Sequence, residues 1–410
     1  MIEHIQIENY KSIEDLPLGL GRVNVFIGEN GAGKSNILEA IALAAAAEGD
    51  KLDNEFLASR GVRVSSAALM RSGFRPGRSR EPISITAKRK GGPSVRYELL
   101  NDNKPYSAWE SSATIQGGPV TADEFSPMLQ EIFANVDDDM RQDLISNLSE
   151  QITRQVALAL AAGKIRRRKG ENPLKVQLSF NSAARPYAHE GMSQFQDFVI
   201  YSPENSSLRT FDREGQIEPL GINGEGLLRF LEVVSADSNK TTIDTIKDSL
   251  RLFGWFQDFE IKKRRPDNRL TILDQFIENG ASSFDQRSAN EGFLFVAFYI
   301  SLLSTKLTPK FFAIDNIDTA LNPKLCQELV KRVVQLAKKN DKQLILTTHN
   351  PAILDGLDLN DDEQRLFVIS RRPDGQTHAR RFKRKPSSSQ PTRLSELFIR
   401  GALGGLPKSF

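Results

Sequence analysis

Eight consecutive residues, Gly28-Glu29-Asn30-Gly31-Ala32-Gly33-Lys34-Ser35, meet the phosphate-loop spacing G-x-x-x-x-G-K-[S/T] at every fixed position. Glycines in that pattern let main-chain N–H groups close around an anionic phosphate chain without Cβ clashes. Lys34 has the reach to meet β- and γ-phosphates, and the Ser35 hydroxyl is a ligand for Mg²⁺. Asn36 opens the segment whose helix N-terminus favours the same anion. A loop of this kind holds ATP or GTP. It needs a strand before it and a helix after it, and both are legible: Arg22-Val23-Asn24-Val25-Phe26-Ile27 reads as a buried strand, and Asn36 through Ala47 as a helix.

The chemistry needs a second element, a carboxylate that holds the magnesium ion. Phe311-Phe312-Ala313-Ile314 is an apolar strand ending in Asp315, the right place for such an acid. Asn316-Ile317-Asp318-Thr319-Ala320-Leu321-Asn322-Pro323 follows, then a helix to about Lys339 and a strand, Gln343 to Thr348, with His349 at its end. A lone histidine there is either structural or faces the ligand crevice that forms at the C-terminal ends of parallel strands. Ser288-Ala289-Asn290-Glu291-Gly292 opens an apolar helix, Phe293 to Leu303.

Composition narrows the setting. With 410 residues the chain has room for two or three lobes. Its longest apolar run, Phe293 to Leu303, falls well short of the about 20 residues a membrane span needs. The N-terminus alternates like a strand and lacks the basic start and apolar core of a signal peptide. A single cysteine, Cys326, excludes an internal disulfide framework and a Cys-rich zinc site, and reads as a small buried apolar residue. These features predict a cytoplasmic protein with no membrane partner. Net charge is only +3, but basic residues cluster at Arg71 to Arg80, Lys88 to Lys90, Arg166 to Lys169, Lys262 to Arg265 and Arg380 to Lys385. Such runs either follow a nucleic-acid backbone or form solvated loops and helix faces.

Along the chain, residues 48–80 read as a long loop, and Ile83 to Thr86 and Val95 to Leu100 as strands of an antiparallel sheet. Ala122 to Ala162 carries apolar residues at three- and four-residue steps and reads as a helical insertion. Gly221-Ile222-Asn223-Gly224-Glu225-Gly226 reads as a helix-start loop before Leu227 to Val234. Pro386 to Pro391 reads as a flexible linker, and Leu394 to Pro407 as an amphipathic helix that docks a partner or packs on its own domain. The resulting division is 1–118 for the first part of a nucleotide-binding head, 119–197 for an inserted arm, 198–385 for the rest of the head, and 386–410 for linker and tail.

On these motifs the chain resembles the ABC-type ATPases of the structural-maintenance-of-chromosomes (SMC) and RecF kind, within the OLD-like AAA-family branch. Ile5-Gln6-Ile7-Glu8-Asn9-Tyr10-Lys11-Ser12-Ile13 resembles the family's opening strand. Asp315 to Asn322 resembles the Walker B strand end and D-loop, Thr348-His349-Asn350 the H-loop, and Ser288 to Gly292 the signature motif. Tyr201-Ser202-Pro203-Glu204-Asn205, with Arg209, is similar to the Q-loop region. The resemblance implies an α/β fold: an ABC-type P-loop head with a mixed central sheet, a flanking antiparallel β-lobe and an inserted helical arm. It implies ATP and Mg²⁺ as cofactors, with Ser35 and Asp315 on the metal. It places His349, Asp318 and Asn316 at the hydrolytic position. Ser288, Asn290 and Glu291 would contact the γ-phosphate of ATP held by a partner subunit, in a homodimer or higher homo-oligomer.

Two positions depart from the family pattern. Asn316 stands where the family has Glu, and a carboxamide cannot accept a proton from the attacking water. That predicts slow turnover with binding intact, with Asp318 or Glu291 as the remaining candidate base. Asn290 stands where the family has Gly, and Asn tolerates left-handed backbone better than other side chains. The implied role is a nucleotide-gated switch for a separately encoded nuclease or effector in bacterial anti-phage defence. Only about forty residues follow the last ATPase strand, Leu366 to Ser370, and they lack the acidic cluster of a Toprim nuclease. The alternatives are a RecF-like repair ATPase that grips DNA through basic loops, and a nucleotide-bound scaffold that makes no DNA contact.

Overall fold

The computed structural model describes residues 1–74, 80–92, 94–104, 106–119, 175–180, 193–211, 218–262, 269–277, 283–383 and 392–405. In chain order the elements begin with β1 (Ile2–Tyr10), β2 (Ile13–Gly19), β3 (Val23–Ile27), α1 (Lys34–Glu48), α2 (Asn54–Ser59), α3 (Ala67–Met70), β4 (Ile83–Arg89), β5 (Ser94–Leu100), β6 (Glu110–Pro119) and β7 (Lys175–Phe180). They continue with α4 (Ser193–Gln196), β8 (Ile200–Tyr201), α5 (Asn205–Leu208), α6 (Leu227–Ala236), α7 (Thr241–Leu250), β9 (Phe256–Lys262), β10 (Arg269–Asp274), β11 (Ser283–Asp285) and α8 (Glu291–Ser304). The last are β12 (Phe311–Ile314), α9 (Pro323–Lys339), β13 (Gln343–Thr348), a 3-10 turn (Pro351–Gly356), β14 (Gln364–Arg371), β15 (Thr377–Phe382) and α10 (Leu394–Ile399). The chain forms two compact units. One comprises Met1–Gly19, Leu43–Phe56 and Ser65–Gln196, the other Leu20–Ala42, Leu57–Val64 and Asp197–Phe410.

The first unit is built on a six-stranded sheet in the order β2-β1-β4-β5-β6-β7, antiparallel throughout. Period-two alternation sets its buried face: Ile5 and Ile7, then Ile83, Ile85 and Ala87, then Val95, Tyr97 and Leu99 are all buried. Strand β7 lies inside the stretch 119–197 expected to be an arm, and it pairs with β6, Ala113 opposite Phe180. The helical pattern at Ala122 to Ala162 falls outside the described residues. Residues 48–80 are not one long loop. The Asp53 carboxylate caps α2 by accepting from the Phe56 amide at 2.8 Å, and α3 buries Met70, whose carbonyl accepts from the Lys11 amide at 2.9 Å.

The second unit holds a six-stranded sheet in the order β15-β14-β3-β13-β12-β8, parallel except for β15 at the edge. Strands β3, β12 and β13 are buried along their whole length, which is why they read as largely apolar runs. Asn24, buried in β3, is satisfied: it accepts from the Gly21 amide at 2.8 Å and donates to the carbonyls of Gly21 (3.0 Å) and Leu344 (3.2 Å). A separate three-stranded antiparallel sheet, β11-β10-β9, was not expected from the sequence, because its strands are short and carry charges. Helix α8 is buried from Gly292 through Ser304 and forms the centre of the core. The Phe293 ring lies 5.5 Å from Phe253, 5.4 Å from Trp255 and 5.3 Å from Phe256.

The C-terminal region corrects one expectation and decides another. Arg380 and Arg381 are not a free basic run but belong to β15: Arg381 pairs with Asp362 at 2.5 Å, and Arg380 donates to the Leu403 carbonyl. Helix α10 packs on its own unit, burying Leu394 and Phe398, while Ser395 donates through its amide (2.9 Å) and hydroxyl (2.6 Å) to the Asp355 carboxylate. No described helix is long and apolar enough to cross a membrane. Truncating Phe293 to Ala removes the shared member of the aromatic cluster and should cost the second unit about 3–5 kcal/mol. Urea denaturation followed through Trp255 fluorescence will show that loss as a lower midpoint.

Candidate functional site

Strand β3 delivers the chain into the phosphate loop at Gly28. A Cβ there would sit 2.0 Å from the Ile369 carbonyl oxygen, so only glycine lets the loop leave the sheet this close to β14. At the other end Gly33 has φ +105°, a conformation costly for other residues. Between them Asn30 and Gly31 are exposed and Glu29 is half-buried. The Ala32 amide turns back onto the Glu29 carbonyl at 3.3 Å. The Lys34 ammonium is buried inside the loop, donating to the carbonyls of Gly28 (2.8 Å) and Glu29 (3.0 Å). Burial pushes its pKa down to about 8, while the charges of Asp315, Asp318 and Glu29 pull the other way. Asn36, in the first turn of α1, accepts from Arg63 at 3.3 Å.

Asp315 follows β12 and meets two hydroxyls. Its Oδ2 accepts from Ser35 Oγ at 3.1 Å, and its Oδ1 accepts from Thr347 Oγ1 at the end of β13. Magnesium prefers oxygen donors and is held by one or two carboxylates together with substrate phosphates. The Ser35 hydroxyl and Asp315 carboxylate, side by side beneath the loop, are a donor set that fits it.

The next residues are pinned through their backbones. Asn316 has φ +55°, a left-handed conformation that Asn and Gly enter most readily. Its amide donates to Thr347 Oγ1 at 2.9 Å, and its carbonyl accepts from the Thr319 amide (3.1 Å) and hydroxyl (2.8 Å). Asp318 accepts from the Thr348 hydroxyl at 2.7 Å. His349 follows β13 and lies beside the Gly28 backbone. Burial and the Lys34 charge lower its pKa below the usual 6.5, against the pull of Asp318 and Asp315, so the imidazole is neutral at pH 7. The structure thus brings Gly28–Asn36, Asp315, Asn316, Asp318 and His349 together at the C-terminal ends of three neighbouring parallel strands, β3, β13 and β12.

Ser288, Asn290 and Glu291 form the entrance to α8. Ser288 is exposed, and its amide and hydroxyl both donate to Asp285 Oδ1, at 3.2 and 3.1 Å. Asn290 does not use the left-handed backbone that Asn tolerates. It has φ −59° and acts as the N-cap of α8, its side chain accepting from the Phe293 amide at 3.3 Å. Glu291 sits in the first turn of the helix. Arg209 holds this loop from behind, donating to the carbonyls of Gln286 (2.6 Å), Arg287 (2.8 Å) and Ala289 (3.0 Å) and to the Asn205 side chain (2.8 Å).

The family model described as "AAA domain, putative AbiEii toxin, Type IV TA system" matches residues 23–355, most of the chain. The chain belongs to this AAA_21 family of ATPases. Its fold is that of an SMC head. The crystal structure of an Smc head bound to the C-winged helix domain of ScpA superimposes with a TM-score of 0.50 at 13% identity, covering 93% of this chain and 98% of that one. A shorter stretch is 46% identical over 55 residues to the DNA replication and repair protein RecF of Bacillus cytotoxicus, and 44% identical over 55 residues to that of Bacillus thuringiensis. These matches span 13% of this chain and 15% of the length of each RecF. The AAA_21 chain is therefore an SMC/RecF-like, ATP-binding ABC-type ATPase.

Two residues escaped the sequence reading of this ATPase: Thr347, which orders both Asp315 and Asn316, and Asp285, which orders Ser288. Arg209, read from the sequence with the Q-loop region, ties the signature loop together. A signal existed only for Thr347: two threonines closing an otherwise apolar buried strand need polar partners. The lowered pKa of Lys34 carries a consequence for binding. Phosphate needs the ammonium form, so above pH about 8 nucleotide binding must take up a proton, and affinity should fall about tenfold per pH unit from this group alone. Calorimetry at pH 8.5 in two buffers of different ionisation enthalpy should reveal that uptake, and Lys34→Met should abolish it.

Proposed function

We propose that this ATPase is a slowly hydrolysing, nucleotide-gated dimerisation switch that controls a separately encoded nuclease or other effector in bacterial defence against phage. The observation that carries the reading is Asn316. It occupies the position beside Asp315 where a carboxylate would activate water, and its carboxamide makes no hydrogen bond to a described group. The phosphate loop and the Ser35–Asp315 pair are otherwise formed, which supports firm ATP binding with slow cleavage. Asp318 is a poor substitute base because the Thr348 hydroxyl already occupies one of its oxygens.

In the proposed cycle, Gly28–Asn36 with Lys34 grips the phosphates, and Ser35 and Asp315 hold Mg²⁺. The exposed Ser288, the Asn290 cap and Glu291, at the N-terminus of α8, cover the γ-phosphate of ATP held by a second copy of the chain. His349, neutral at pH 7, is suited to hydrogen-bond the same phosphate. Bound ATP bridges two chains, and loss of the γ-phosphate releases them. The family description, which names a toxin of a type IV TA system, supports a setting in which the ATPase acts with a separately encoded partner.

Asn316→Glu tests the slow-switch reading. A carboxylate at this position should raise the ATPase rate at least tenfold, short of the about 10²–10⁴-fold that general-base help supplies, because Glu resists the left-handed backbone. Brisk hydrolysis by the wild type with no gain in the variant would overturn it. Light scattering should show ATP-dependent dimers in the wild type and none in Lys34→Ala. Arg209→Ala should weaken the ATP dimer while leaving nucleotide affinity of the monomer within about twofold, since it disturbs only the loop that carries Ser288.

A further inference from the structure

The carbonyl groups of the phosphate loop can be accounted for almost completely. Those of Gly28 and Glu29 are taken by Lys34, and that of Gly33 by the Ile37 amide at 3.1 Å. The remaining two between Asn30 and Gly33 are held from outside the loop. Arg371 Nε donates to the Gly31 carbonyl at 2.8 Å, and Thr377 Oγ1 donates to the Ala32 carbonyl at 2.9 Å. These two side chains come from the hairpin formed by β14 and β15. They stand directly opposite each other in its register, so both lie on one face of the hairpin and address consecutive peptide groups. Thr377 is 3% exposed, and its hydroxyl has been placed where only a buried polar partner justifies it. Arg371 also donates to the Gly375 carbonyl in the hairpin turn, which fixes the guanidinium, and no carboxylate among the described residues pairs with it.

In a trans peptide the carbonyl of one residue and the N–H of the next point in opposite directions. Fixing the Ala32 carbonyl outward therefore aims the Gly33 N–H inward, and that N–H donates to no described group. It is one of the donors a phosphate would meet. Gly33, at φ +105°, has the freedom to rotate that peptide if nothing holds it.

We propose that Thr377 and Arg371 are positioning residues for the nucleotide: the β14–β15 hairpin clamps the Gly31 and Ala32 carbonyls and so preorganises the phosphate-facing N–H groups of the loop, with Arg371 adding positive charge at its outer edge. The inference rests on reading Gly28–Ser35 as the nucleotide site. It concerns donors that meet phosphates common to ATP and ADP, which separates it from any contact made only to the γ-phosphate.

Thr377→Val removes the hydroxyl with little change of shape, and Thr377→Ser restores it. Arg371→Met, at a half-exposed site, removes the second donor with little risk to folding. The full chain is titrated with ATP and with ADP by calorimetry, and the melting temperature of each nucleotide-free variant is recorded. Thr377→Val should weaken ATP and ADP by the same factor, about 5- to 20-fold, and Arg371→Met should weaken both by about threefold or more. Thr377→Ser should bind within about twofold of the wild type, and nucleotide-free melting temperatures should not follow the order of affinities. Wild-type affinity in both Thr377→Val and Arg371→Met, or a loss confined to ATP, would overturn the clamp. Lys34→Ala is the control for the underlying reading. If it binds nucleotide like the wild type, the site itself is misassigned, whereas a dead Lys34→Ala beside fully active hairpin variants sinks the clamp alone.

Discussion

The carboxylate of Asp315 is held between two hydroxyls, and the rest of the site depends on that arrangement. Ser35 comes from the helix after β3, Thr347 from β13, and Asp315 from β12, so one side chain ties together three neighbouring strand ends. The Thr347 hydroxyl, donating to Asp315 and accepting from the Asn316 amide, carries the order one residue further. Thr348 repeats the device with Asp318. Two acids near a buried Lys34 form a charge balance that a phosphate–magnesium pair can enter with little rearrangement, because the donors already face each other.

The two ends of the functional surface are built on one physical idea. A loop that must offer N–H groups to an anion has to dispose of its carbonyls, and here polar side chains from elsewhere take them. Arg209 does this for the segment around Ser288 by spanning three carbonyls with one guanidinium. The hairpin residues Arg371 and Thr377 do it for the phosphate loop. Arginine suits the task because its planar fork loses less freedom per hydrogen bond than lysine does.

The local chemistry of the site was legible in the sequence. Gly28–Ser35, the apolar strand ending at Asp315 and the strand ending at His349 announce themselves because their spacing and the buried parallel sheet both leave short-range patterns. What was not legible depends on pairing at a distance. Strand β15 read as a basic run because Arg380 and Arg381 find partners only after folding, and β7 was hidden beyond a long stretch from its partner β6. The charged strands β9 and β10 alternate only briefly, at Phe259-Glu260-Ile261 and Leu270-Thr271-Ile272, too short a pattern to mark a strand. At Asn290 the sequence left the backbone open: the same residue type serves as a left-handed turn former and as a helix cap, and only the backbone angles decide between them. At Asn316 the left-handed angle is real.

Strand β3 sits between β13 and β14, and both neighbours lie far ahead in the chain. The Asn24 side chain reaches the Leu344 carbonyl across 320 residues. On a ribosome, the phosphate-loop segment therefore emerges early and waits on the order of tens of seconds before either flanking strand exists to receive it. Until then its glycines have no sheet to leave and its carbonyls no hairpin to hold them. Nascent and truncated chains carry the motif without the geometry, so the ability to capture nucleotide marks a chain whose distant halves have found each other.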